Sequence, residues 1–268
     1  MSSNAERRSA LIDAARVTAD RFVRLVTAAP PDDPRVPATP DWTITDTFGH
    51  VAMEPSRYRD LAKGSGDWPR RASELPAFNA RQIAELPTRD RHQLGDILAA
   101  DLNSLLDTVA GFGDVAPMMY FDGDQRIRAD VALGTLIGEF VVHGYDIARL
   151  LRKPWPIDAA LAPMIIRGQH QVMPGWVNSE SSDGHTATYL FRLRGQDAYV
   201  YEFTDGRLVV NPDMPRTIDV HISVEPVTGL LLSYGRCSPT RAALTGKIFA
   251  WGRKPWLAPR FTQRFLPA

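Results

Sequence analysis

Glu139, His143 and Asp146 stand four and three residues apart in the stretch GEFVVHGYDIARL, residues 138–150. At about 100° per residue the three fall within roughly 60° of one another around a helix. Leu136 and Leu150 share or border that arc, and Phe140 and Ile147 extend an apolar face beside it. The spacing turns polar groups toward a core or its edge, where an unpaired charge is costly. Two arrangements meet that cost: a Glu–His hydrogen bond at i, i+4 with Asp146 held by an arginine, or a metal site. His50, in DTFGHVAM between Phe48 and Val51, adds an inward histidine from a different helix. Two histidines and one carboxylate suit a divalent metal such as zinc and leave a coordination position open. A thiol or water bound there loses its proton more readily, which is what catalysis requires.

The elements that must position these groups read as helices up to about residue 151. Residues 9–29 carry Leu11, Ala15, Phe22 and Val26 at helical spacing, with Arg16, Asp20 and Arg24 on another face. Five prolines in PPDDPRVPATPDW then interrupt the chain. A helix containing His50 follows, with Thr43 or Thr45 as its N-cap and Asp46 in its first turn. Asp46 is read as an exposed first-turn carboxylate or as a hydrogen-bond partner of His50. A short helix is expected in AFNARQIAEL. A long one spans 92–113, with Leu94, Ile97, Leu98, Leu102, Leu105 and Val109 as its apolar stripe. The last runs from about Ala129 to Leu151. Four amphipathic helices without a strand pattern predict a bundle.

Beyond Lys153-Pro154-Trp155-Pro156 the pattern changes. After a helical stretch within 158–177, residues 187–211 alternate as strands, with Asp205-Gly206 as a hairpin turn. TIDVHISV is a further strand, with Val220, Ile222 and Val224 on one face and Asp219, His221 and Ser223 on the other. EPVTGLLLSYGR reads as a helix opened by Pro226 and ended by Gly235. The expected division is therefore a helical domain over 1–153 and an α+β domain over 154–268.

Composition is that of a globular chain, 44% apolar and 23% charged. With 31 basic and 31 acidic residues the formal charge is zero, which offers no electrostatic footing for nucleic acid or an anionic membrane. No apolar run approaches the ~20 residues of a membrane span, and the polar N-terminus lacks a signal-peptide core. The expected location is the cytoplasm. The single cysteine, Cys237, excludes an internal disulfide framework and carries no nucleophile signature. His92, His170 and His185 lack partners at metal spacing, and His221 is expected in solvent.

The motifs carry a family resemblance over the whole chain. TPDWTITDTFGHVA resembles the W-x-x-x-D-x-x-x-H opening of DinB-like metal-binding four-helix bundles. GEFVVHGYDIARL resembles the E-x-x-x-H-G-x-D-x-A-R signature of the mycothiol-dependent maleylpyruvate isomerases, and AFNARQI their F-N-A segment. DVHISVEPVTGLLLSYGR and LTGKIFAWG are similar to the sterol-carrier-like domain that follows the bundle. The resemblance implies an all-α DinB-like bundle followed by an α+β sterol-carrier-like domain. It implies His50, Glu139 and His143 as ligands of a divalent metal of the zinc type. It also implies mycothiol as thiol cosubstrate, and a small electrophile that is isomerised cis to trans or receives the sulfur. Arg236 matches the family's arginine from the second domain, although Ser-Tyr stands where the family commonly has Trp-Leu; it would hold a substrate carboxylate. Asp146 and Arg81 would contact the thiol cofactor, Asp146 having an ordinary salt bridge, to Arg149 or a neighbouring helix, as its alternative.

Two other functions fit the residues. One is a non-enzymatic carrier of a small apolar ligand or lipid in the sterol-carrier-like half. The other is the same metal site serving a substrate that does not involve mycothiol.

Overall fold

The structure is a computed structural model and describes residues 3–122 and 124–267; residues 1, 2, 123 and 268 of the two expected domains lie outside the described residues. Helix α1 (Asn4–Thr27) begins at a capping box between Ser3 and Glu6, its first residue five positions before the 9–29 stretch read as helical. A two-stranded ribbon follows, β1 (Arg35–Val36) and β2 (Thr39–Thr43), and leads directly into α2 (Ile44–Ala62). Thr43 is the N-cap of α2, and its own amide N–H donates to the Asp46 carboxylate. A short helix α3 (Leu75–Ala84) and a long one, α4 (Arg91–Ala110) capped by Asp90, complete this stretch. A hairpin, β3 (Met118–Phe121) with β4 (Gln125–Arg128), precedes α5 (Leu133–Leu150).

Helices α1, α2, α4 and α5 form the bundle: α2 packs on α4, α1 on α5, and α1–α4 and α2–α5 contacts close the ring. Phe22 lies at its centre, 5.6 Å edge-on from Phe48 and 6.3 Å from Phe140, all three fully buried. Sequence periodicity misses both small hairpins. Strands of two to five residues are too short to show a period of two; β4 ends at Arg128, and the helix expected from about Ala129 begins at Leu133.

The second half opens with α6 (Leu161–Val172), which packs on α5. Gly134 of α5 and Gly168 of α6 meet there, and a Cβ at Gly134 would enter the Met164 carbonyl. The linker before α6 is strapped down by Trp155, whose indole N–H donates to the Val141 carbonyl at 3.0 Å while the Arg21 guanidinium covers its ring at 3.8 Å. A five-stranded sheet follows in the order β7-β6-β5-β8-β9: β5 (Ala187–Leu193), β6 (Ala198–Thr204), β7 (Arg207–Val210), β8 (Val220–Val224) and β9 (Ile248–Gly252). Of the paired neighbours in this sheet, β5 and β8 are parallel and the others antiparallel.

Asp205-Gly206 forms the expected turn, both residues with positive φ. Helix α7 (Ser179–Ser182) precedes the sheet, while α8 (Pro226–Ser233) and α9 (Pro239–Leu244) lie between β8 and β9. His221, expected in solvent, is stacked on Trp251 of β9 at 5.2 Å.

Two apolar cores result. Ala162, Ile165 and Val172 of α6 join the bundle core, whereas Ile166 joins the core under the sheet with Tyr189, Phe203 and Val220. Replacing Phe22 by Ala should lower the unfolding free energy by about 3–5 kcal/mol, because three elements lose a shared ring. Urea denaturation of the variant measures the loss; a change below about 1 kcal/mol would contradict this packing.

Candidate metal centre

Helix α5 is apolar almost throughout, so Glu139 and His143 are carried into the bundle by their neighbours. His143 Nε2 is 3.1 Å from a Glu139 oxygen, and His50 Nε2 is 3.5 Å from the same oxygen. One ligand atom from each of the three residues falls within 4.8 Å of the others. The two imidazoles stand nearly perpendicular, 5.6 Å apart, and Trp42 of β2 covers them at 4.9 and 6.2 Å. Trp42 is placed by the anchored chain before α2. Arg91 donates to the Ala29 and Pro30 carbonyls, to Asp33 and to Thr45. The Glu139 side chain remains 20% exposed, so the cluster is open on one side.

The donor set fits a metal by two measures. Ligand atoms at 2.0–2.1 Å from a tetrahedral centre lie roughly 3.3 Å from one another, matching the 3.1 and 3.5 Å separations. The second measure is the state of the far ring nitrogens. His50 Nδ1 is buried without a hydrogen-bond partner among the described residues, and the Glu54 carboxylate stands 3.7 Å behind it. A carboxylate there favours the proton on Nδ1 and leaves the Nε2 lone pair for a cation.

Burial alone would raise Glu139, but His143 and His50 outweigh it and hold the carboxyl well below the usual range. Glu54 goes the other way: burial lifts it, against the pull of the Arg57 guanidinium that contacts it and of His50.

The other expected residues divide. Asp146, three positions beyond His143, is buried, and Arg236 binds it through Nε at 3.1 Å and Nη2 at 2.9 Å. Its partner is thus the arginine of the second half rather than Arg149, which lies over Tyr145. The run Tyr234-Gly235-Arg236 follows α5. The Tyr234 hydroxyl sits where a Cβ of Gly138 would be, and Arg236 reaches Asp146 two turns further along. Arg81 is exposed, with its guanidinium 5.8 Å over Phe78, and is not brought into the cluster. Asp46 caps α2 and pairs with Arg89 at 2.7 Å; Glu54, not Asp46, stands behind His50.

The buried carboxylates that the sequence reading passed over include Glu54 and Asp122. Glu54 lies among polar residues in MEPSRYRD. Asp122 lies at a turn, where an aspartate is ordinary. Asp122 accepts the indole N–H of Trp68 at 2.7 Å and that of Trp176 at 2.9 Å, joining the bundle to the segment after α6. Burial lifts its pKa to about 7; the two indoles oppose this, and the charges of Glu54 and Glu139 add to it.

The folded state therefore binds this proton more tightly than the unfolded chain, whose aspartates titrate near ~3.9. The associated stability is present at acidic pH and is lost as pH rises through about 7. Tryptophan emission of the metal-stripped protein should titrate with a midpoint near 7. Zinc should move that midpoint downward, because a nearby cation favours the carboxylate. Asp122→Asn should abolish the transition; an unchanged titration in that variant would refute the assignment.

A family model described as the mycothiol maleylpyruvate isomerase N-terminal domain matches residues 12–148. No curated protein matches the chain. Among solved structures, the mycothiol-dependent maleylpyruvate isomerase is similar at 15% identity and a TM-score of 0.54, over 89% of this chain and 94% of that one. A histidine-to-alanine mutant of that enzyme is similar at 13% identity and the same TM-score, over 93% and 95%. At such identities the likeness is one of fold, a helical bundle followed by a part built on a mixed sheet. With the family model spanning α2 and most of α5, the chain belongs to the mycothiol maleylpyruvate isomerase N-terminal domain family.

Proposed function

We propose that this protein is a divalent-metal-dependent enzyme that activates mycothiol as thiolate, for cis–trans isomerisation of, or S-transfer to, a small electrophile. The observation that carries the reading is the convergence of His50, Glu139 and His143 from two helices on one half-open point. His50, Glu139 and His143 would hold the metal, most simply zinc, which supplies a cationic centre where a thiol is deprotonated near neutral pH.

The chain's own groups define the rest. Glu54 behind His50 would fix the tautomer and raise the basicity of the ring. Trp42 would close one side of the cluster against water. Asp146, bound to the Nε edge of Arg236, would hold that guanidinium at the α5 side of the pocket, ready for a substrate carboxylate. Thiolate addition to a conjugated double bond leaves a single bond about which the substrate rotates, and elimination restores the double bond and the thiolate. Displacement of a leaving group by the same thiolate would yield an S-conjugate instead. In this reading the chain divides at 153/154 into the metal-binding bundle and a second domain that contributes Arg236, while Arg81 serves the outer part of the thiol site.

Elemental analysis should find about one metal per wild-type chain and none in His50→Ala or Glu139→Ala. Mycothiol-dependent isomerisation of maleylpyruvate or a related conjugated acid should disappear with the metal. Metal retained in both variants, or turnover that ignores mycothiol, would refute the proposal.

A further inference from the structure

A second polar cluster lies away from the metal centre, in a groove of about 580 Å³ between α6 and strands β6 and β7. Arg167, His170, Gln171, Tyr199 and Asn211 line it, with Leu208 and Val210 among its apolar walls, and none of His50, Glu139 and His143 contributes. Its volume is within the range of small-molecule sites.

The donors in this groove are oriented by the protein and then left without partners. The Tyr201 hydroxyl bonds His170 Nδ1. Burial keeps the Tyr201 proton well above the usual phenol range, and burial together with Arg167 keeps His170 neutral. Were His170 Nδ1–H the donor, the Tyr201 O–H and the His170 Nε2 lone pair would both be left unpaired, so Tyr201 donates and the single ring proton of His170 resides on Nε2. That nitrogen is buried and has no hydrogen-bond partner among the described residues, although His170 itself is only 6% exposed.

Gln171 repeats the pattern. Its Oε1 accepts the Arg128 amide at 2.8 Å, which fixes the side chain, and its Nε2 is buried without a partner. The Tyr199 hydroxyl, on a ring tilted against His170, has only the Arg167 guanidinium near it, itself a donor, so its O–H proton has no acceptor. Arg167 stands at the rim in an ion pair with Asp197, whose side chain is 62% exposed. Asn211 Oδ1 is already engaged by the Val200 amide at 2.7 Å.

Buried donors without acceptors are costly, and here His170, Gln171 and Tyr199 share one opening beside a cation. We propose that this groove is a second binding site, for a small monocarboxylate whose apolar body lies on Leu208 and Val210. The head group is singly charged: one guanidinium, already shared with Asp197, and three neutral donors match one carboxylate better than a dianionic phosphate. The carboxylate would accept from His170 Nε2–H and Gln171 Nε2–H, with Tyr199 and Arg167 completing the cradle.

The probes are benzoate, phenyl phosphate and benzyl alcohol, titrated into the full-length protein with its metal. Binding is read from the His170 imidazole N–H resonance, assigned among six histidines. Benzoate should shift that resonance saturably, phenyl phosphate more weakly, and benzyl alcohol not at all. Arg167→Gln should weaken benzoate roughly ten- to a hundredfold, and Tyr199→Phe roughly two- to tenfold. His50→Ala should leave benzoate binding at this resonance unchanged. No shift with benzoate, or wild-type affinity in both groove variants, would overturn the site. Binding lost in His50→Ala would assign it to the metal centre instead. Tighter binding of phenyl phosphate would overturn the carboxylate assignment, and equal binding of benzyl alcohol would remove anion recognition altogether.

Discussion

Everything around the bundle's polar pocket follows from one costly act, the placement of the Glu139 carboxylate between two imidazoles inside an apolar helix packing. Burial raises the energy of that charge, and the apolar residues that surround it on α5 do not offset it. The offset comes from His143 one turn away and His50 across the interface with α2. A neutral pair of rings is weak compensation for a buried carboxylate, whereas a cation shared by all three is strong compensation. The Glu54 carboxylate behind His50 agrees with the second arrangement, because with a cation in place it would hold the ring proton on Nδ1 and leave Nε2 free to bind.

The second half of the chain is organised around the same helix. Gly138 leaves room for the Tyr234 hydroxyl beside Glu139, and Asp146 receives Arg236 further along. Trp155 docks at Gly144 and straps the linker to α5. Thus α5 carries two of the three central groups and also the contacts that bring the α+β part to them. A substitution on α5 that shifted it by one residue would disturb the cluster and the Asp146–Arg236 pair together. The two indoles on Asp122 tie the same halves together from the β3–β4 hairpin.

Much of this was legible in the residues. Glu139 and His143 lie on one helix at a spacing that fixes their common face, and the Thr43 cap with Phe48 and Val51 turns His50 inward. The Asp205-Gly206 turn and the alternation of residues 220–224 were equally direct. What was hidden is tertiary. Glu54 and Asp122 sit in polar local sequence, and only packing against Arg57, Trp68 and Trp176 makes them buried groups. His170 has no metal-spaced neighbour because its partners, Tyr199 and Tyr201, come from a strand about thirty residues later. The two short ribbons lacked the length for a periodic signal, and the proline-rich one reads as a break although it places Trp42 over the histidines.

The most direct test of the central claim is X-ray absorption at the zinc edge of the loaded protein, with and without mycothiol. The account predicts a first shell of nitrogen and oxygen atoms alone in the protein by itself. On adding mycothiol one sulfur should enter that shell at about 2.3 Å. A shell that never acquires sulfur, under conditions where the enzyme turns over with mycothiol, would contradict the metal-bound thiolate on which the account rests.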